Sequence, residues 1–173
     1  MKEISNQTVD IMREAIKLEI NGKAFFDHAA EMTHNELGKK MFRKLAQDEM
    51  RHLDDFVKLF GTMLEGQDWR KFVGQDELRG QSPVIEELRS RLKKGKRASE
   101  LEAISIGMEL ERRAVDLFEK SAKKSTDPKA KEIFEKIREE ERLHYDLLQA
   151  QYDSVTNSGF WMDVAEFRMD GKF

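Results

Sequence analysis

The chain has 173 residues, enough for one domain with a real core, and a net charge of −3 from 31 basic and 34 acidic residues interleaved along its length. With no basic stripe a nucleic-acid partner is not expected, and the lack of cysteine excludes disulfides, a thiol nucleophile and any thiolate-held zinc or iron. No apolar run approaches membrane-spanning length and the N-terminus has no signal-like apolar segment, so the expectation is a cytoplasmic protein without a membrane partner.

A charged fraction of 38 % with only two prolines is the composition of long solvated helices. The first is predicted over about residues 8–34, where Met12, Ala15, Ile16, Gly22, Phe26 and Ala29 recur at helical spacing. Glu19 falls on the same face and interrupts it. Asn35 is a natural N-cap, and a second helix over about 36–64 turns Met41, Phe42, Leu45, Glu49, His52, Phe56 and Phe60 inward. The crossover, 65–97, is irregular: Trp69, Phe72, Gly74 and Gly80 precede Ser82-Pro83, which starts a short helix to about Leu92, and Lys93 to Arg97 form a basic turn. A third long helix is predicted over 98–125. Asp127-Pro128 places an N-cap and a first-turn proline before a fourth helix over 128–153. The tail, 154–173, is rich in aromatics and suited to docking a short helix on the bundle or on a second subunit.

The two halves repeat. Glu19, Glu49 and His52 correspond to Glu111, Glu141 and His144 at one offset, since 111 − 19, 141 − 49 and 144 − 52 are all 92. Phe26 and Ala30 match Phe118 and Ala122, Phe42 matches Phe134, and the caps Asn35 and Asp127 also correspond. Two helical hairpins of one design, joined by the crossover, give an all-α four-helix bundle in a single domain, 1–173.

The turns place the six residues at one level. Glu19 lies 16 residues before Asn35 and His52 lies 17 after it, so the chain rises and returns by about 24 Å at about 1.5 Å per residue. The second hairpin repeats these separations about Asp127. Glu-x-x-His sets both side chains on one helical face, able to chelate one ion. With a pseudo-two-fold between hairpins, Glu49 and Glu141 lie centrally and bridge two metals, while Glu19 and Glu111 are terminal ligands. A single Glu-x-x-His means little in a Glu-rich chain with four histidines; two in register, each with a Glu on an apolar face, mean much more. Four glutamates ionised in a core would repel strongly, and two divalent cations neutralise them. The oxygen and nitrogen donor set favours iron or manganese and leaves zinc possible.

At these residues the chain resembles the ferritin-like diiron carboxylate proteins, and most of all their rubrerythrin-type members, over about Thr8 to Asp153. The resemblance implies a ferritin-like bundle in which Glu19, Glu49, His52, Glu111, Glu141 and His144 bind two irons. It further implies an oxidoreductase whose ferrous pair reduces hydrogen peroxide or dioxygen. The chain departs from rubrerythrins at three points. It has no Cys-held rubredoxin domain, so electrons would come from a separate protein such as a rubredoxin. It has Ala114 where they carry an extra carboxylate, and Phe26 and Phe118 where the family often has tyrosines; these phenylalanines are expected to wall the site.

Met50 sits in a segment similar to the bacterioferritin one whose methionine ligates an intersubunit haem, but packing is the commoner role of a helical methionine and no haem is expected. Asp48 and Glu140, each preceding a central glutamate, are either partners of the histidine N–H groups or salt-bridged surface residues. His28 and His34 are read as non-ligands. Iron storage of the ferritin type is the binding-class alternative, and hydroxylation of an organic substrate a further one. The added bulk of crossover and tail favours a homodimer over a large cage.

Overall fold

A computed structural model describes residues 5–79, 86, 90–91 and 96–164. Four long helices carry the fold: α1 (Asn6–Met32), α2 (Glu36–Met63), α4 (Lys96–Lys124) and α5 (Pro128–Ser158). Between α2 and α4 lie a 3-10 turn, Trp69–Phe72, and the one-turn α3 (Gln75–Leu78). There is no strand among the described residues. This is the expected all-helical bundle of two hairpins. The short helix expected from Ser82-Pro83 falls almost wholly outside the described residues.

The caps act as the sequence implies. The Asn35 side chain accepts from the N–H groups of Leu37 and Gly38, and Asp127 Oδ1 accepts from Ala130 N at 2.9 Å with Pro128 in the first turn. The α1 boundaries shift slightly: Ser5 caps the start and the helix ends at Met32. The larger differences are on α4 and α5. Lys96 and Arg97, expected in a turn, are already helical. Helix α5 runs to Ser158, five residues past Asp153, because nothing in 154–158 breaks it and Val155 still packs in the core. It stops at Gly159, whose φ of 78° is a left-handed conformation that only glycine takes without strain.

The tail docks on the bundle as far as Val164. Trp161 packs edge-on to Phe42 with ring centroids 6.4 Å apart. Gln151 exchanges two hydrogen bonds with the Met162 backbone, donating to its carbonyl at 2.7 Å and accepting from its N–H at 3.0 Å. Phe160 points into solvent.

The core falls into two apolar layers. One holds Phe25, Phe26, Phe42, Leu45, Ile104, Leu110 and Leu148, the other Met12, Ile16, Phe56, Phe60, Phe118, Phe134 and Ile137. On every long helix the residue between the layers is a glutamate, accompanied on α2 and α5 by a histidine. Phe26 and Phe118 belong to opposite layers, and so close the polar level from its two ends. No helix among the described residues is long and apolar enough to cross a membrane.

Candidate metal centre

Six side chains meet at that level: Glu19 from α1, Glu49 and His52 from α2, Glu111 from α4, Glu141 and His144 from α5. None is more than 7 % exposed. Their donor atoms form two groups, Glu19, Glu49, His52 and Glu141 in one and Glu49, Glu111, Glu141 and His144 in the other, with the atoms of each within 4.8 Å of one another. Glu49 and Glu141 appear in both. The sequence leads to the same two residues at the centre, through a pseudo-two-fold between the hairpins.

Both imidazoles turn Nδ1 inward. His52 Nδ1 lies 3.0 Å from Glu141 Oε1 and 3.4 Å from Glu19 Oε2. His144 Nδ1 lies 2.9 Å from Glu141 Oε2 and 3.6 Å from Glu111 Oε1. The rings stack with centroids 5.8 Å apart. Outward, the partners cross between hairpins: His52 Nε2 meets Glu140 Oε2 at 2.9 Å, and His144 Nε2 meets Asp48 Oδ2 at 3.1 Å. Of the two expectations for Asp48 and Glu140, the histidine-partner one is met by both. Each is salt-bridged as well, buried Asp48 to Lys44 at 2.6 Å and part-buried Glu140 to Arg51 at 2.6 Å. Arg51 also reaches Asp48 at 3.4 Å, tying the two carboxylates together. Arg51 was not singled out in the sequence, because the repeat places Leu143 at its counterpart and charged residues abound.

The donors fit a metal pair on an observation independent of the motif. Glu19 Oε1 and Oε2, Glu49 Oε1, Glu111 Oε1, Glu141 Oε1 and His52 Nδ1 are buried and have no hydrogen-bond partner. Burying so many polar atoms unsatisfied costs about 1–3 kcal/mol each, and coordination satisfies them. Electrostatics agree. Burial, with the charge of Glu141 next, pushes Glu49 and Glu111 well above the usual carboxylate range, and raises Glu19 as well. Glu141 is the exception: burial opposes its charge, but the hydrogen bond with His144 and the neighbouring His52 ring hold it below the usual range. Burial also opposes a charge on His52, yet its bond to Glu140 and the nearby carboxylates of Glu141 and Glu19 raise it to about 12. The same competition leaves His144 raised through Asp48, Glu111 and Glu141. Raised carboxylates and imidazoles favour proton uptake at the same atoms that would coordinate cations.

Outside the site, His34 is largely exposed and 3.8 Å from Glu100. Neither it nor His28 joins a ligand group among the described residues. Met50 is partly exposed on α2, and Ala114 lies in the apolar layer beside Phe118.

The crossed histidine bonds yield a first prediction. Asp48→Ala and Glu140→Ala are each expected to weaken metal binding by about 10–100-fold, because each releases a ligand ring held from the other hairpin. Competitive titration of the metal-free variants checks this. Unchanged affinity in both would reduce these contacts to surface salt bridges.

Comparison with known proteins agrees with the geometry. A solved structure of a hypothetical protein from Pyrococcus furiosus is 24 % identical, with a TM-score of 0.67 over 91 % of this chain and 94 % of that one, a likeness of fold. No curated protein sequence matches significantly. The family model described as Rubrerythrin matches residues 10–152, nearly the whole bundle and all six buried donors. The chain belongs to the rubrerythrin family.

Proposed function

We propose that Glu19, Glu49, His52, Glu111, Glu141 and His144 bind two iron ions, and that the protein is a cytoplasmic oxidoreductase reducing hydrogen peroxide or dioxygen. The observation that carries this reading is the pair of buried donor groups sharing Glu49 and Glu141. When bound, the ferrous pair supplies two electrons, one from each ion, to a small oxidant.

The chain's own residues do the rest. Glu140 and Asp48 accept from the histidine Nε2–H atoms, which directs each Nδ1 lone pair inward once its proton has left. Glu49 and Glu141 set the spacing of the two sites from opposite helices. Arg51 balances the outer carboxylates from the surface. The two aromatic layers exclude bulk water from above and below. Burial of all six donors favours an oxidant of two oxygen atoms over a bulky organic substrate, which ranks hydroxylation lower. Reducing peroxide to two waters consumes two electrons and two protons, and these 173 residues contain no cysteine to hold a further iron centre. A separate donor protein such as a rubredoxin is therefore the proposed electron source. A homodimer is the proposed assembly.

Anaerobic loading with ferrous iron, followed by rapid mixing with peroxide or with oxygen, tests the reading. Two irons per chain, oxidised faster by peroxide, are expected. Fewer than two after full loading would end the dinuclear reading, and equal rates would remove the case for a dedicated peroxidase. A large hollow oligomer in solution would move the assignment to iron storage.

A further inference from the structure

We infer that Gly22 is a positioning residue of this centre: the missing side chain there gives the Glu49 carboxylate its seat against α1. The inference rests on the metal-pair reading and deepens it. A Cβ at residue 22 would lie 2.6 Å from Glu49 Oε2 and 3.2 Å from its Cδ. Real carbon–oxygen contacts do not come so close, so a methyl group there must displace something. Helices α1 and α2 are held together above and below this point by fully buried Ile16, Phe26, Leu45 and Phe56. The carboxylate is the part free to move.

The duplication makes the role specific. Residue 22 corresponds to Ala114, as 114 − 22 is the same 92, so only the first half omits the Cβ. The two shared carboxylates are placed unequally in accordance with this. Glu141 lies between the histidines, at 3.0 Å from His52 Nδ1 and 2.9 Å from His144 Nδ1. Glu49 draws back towards α1 and comes to 3.8 Å from His144 Nδ1. Gly22 sets that setback. Metal–ligand bonds tolerate about 0.2 Å of misplacement, so a forced shift of a ligand shared by two ions weakens both.

The test compares metal-free and metal-loaded parent, Gly22→Ala and Gly107→Ala. Gly107 is a helical glycine on α4 whose added Cβ would instead meet Leu148 Cδ1 and Phe26 Cε1, each at 3.1 Å. Competitive titration with ferrous or manganous ion reads affinity and stoichiometry, and thermal melting of the metal-free forms reads the fold. Gly22→Ala is expected to bind metal about 10–100-fold more weakly, as seen when ligands lose their positioning partners. Its metal-free melting temperature should not fall, since alanine suits a helix better than glycine. Gly107→Ala should keep parental metal binding whatever it does to melting. Parental affinity in Gly22→Ala overturns the inference. So does a lowered metal-free melting temperature, which would mean that the methyl pushes helices apart rather than the carboxylate. A parent that takes up fewer than two ions overturns the metal-pair reading itself and this inference with it.

Discussion

A Glu49→Ala/Glu141→Ala variant is expected to lose both metal ions, whereas Glu19→Ala should chiefly lose one. The two donor groups share Glu49 and Glu141, so removing either strips a ligand from both. Removing both also upsets the charge balance. Four carboxylates match two divalent cations; two carboxylates leave two positive charges uncompensated at a level where every donor is buried. Uncompensated buried charge costs several kcal/mol, more than the remaining ligands recover. Each single variant, Glu49→Ala or Glu141→Ala, is expected to weaken both ions by about 100-fold or more, since even partners outside the ligand shell are worth 10–100-fold. Glu19→Ala leaves Glu49, Glu111, Glu141 and His144 complete, so one ion should bind nearly as before. Metal analysis after anaerobic loading checks the series, with far-UV circular dichroism to show retained helix. If the double variant keeps both ions, the shared role belongs to other residues.

Features set by counting along a helix are legible in the sequence, and features set by how helices meet are not. The level of the site is a matter of counting along helices from two capping residues, and Asn35 and Asp127 do cap where the count needs them. Glu19 was visible because a charge on an apolar face is anomalous, and Glu111 because it repeats Glu19. Features that depend on how closely helices approach were not visible. A glycine at residue 22 reads as a small core residue; only the approach of α1 to the Glu49 side chain gives it a task. The sequence marked Asp48 and Glu140 but not which ring each meets, since the crossing depends on how the hairpins face one another. Arg51 contacts Glu140 89 residues away, a pairing that local pattern cannot carry. Phe160 and Trp161 are adjacent aromatics that no sequence pattern separates, yet the backbone path after Gly159 exposes the first and buries the second. The polar residues of 154–158 resemble a loop, yet no breaker precedes Gly159 and α5 continues through them.

The metal-free protein is expected to lose thermal stability as pH rises from about 5.5 to 8, while the stabilisation conferred by metal grows over the same range. Glu49, Glu111 and Glu19 have pKa values raised above 4.5, by burial first and then by the charge of Glu141. Their contribution is complete below 4.5 and declines as pH climbs towards the folded value. His52, raised to about 12 against the pull of burial, and His144, likewise raised, contribute fully below 6.5 and progressively less above it. Glu141, Asp48 and Glu140 run the other way: their lowered values give stability that is lost only in acid, so they add no slope in this window. Each proton kept by the fold and released by the unfolded chain costs about 1.4 kcal/mol per pH unit. Cations compete for those same atoms, so loading expels protons and binds more tightly at higher pH. Melting curves at both pH values, with chelator and with anaerobic ferrous iron, read both trends. A metal-free melting temperature that rises with pH, or a metal-dependent gap that narrows, would show that these carboxyls are not protonated in the empty fold. Glu49→Gln isolates the cause: with one titrating carboxyl made permanently neutral, the metal-free slope should flatten, even though the same variant binds metal poorly.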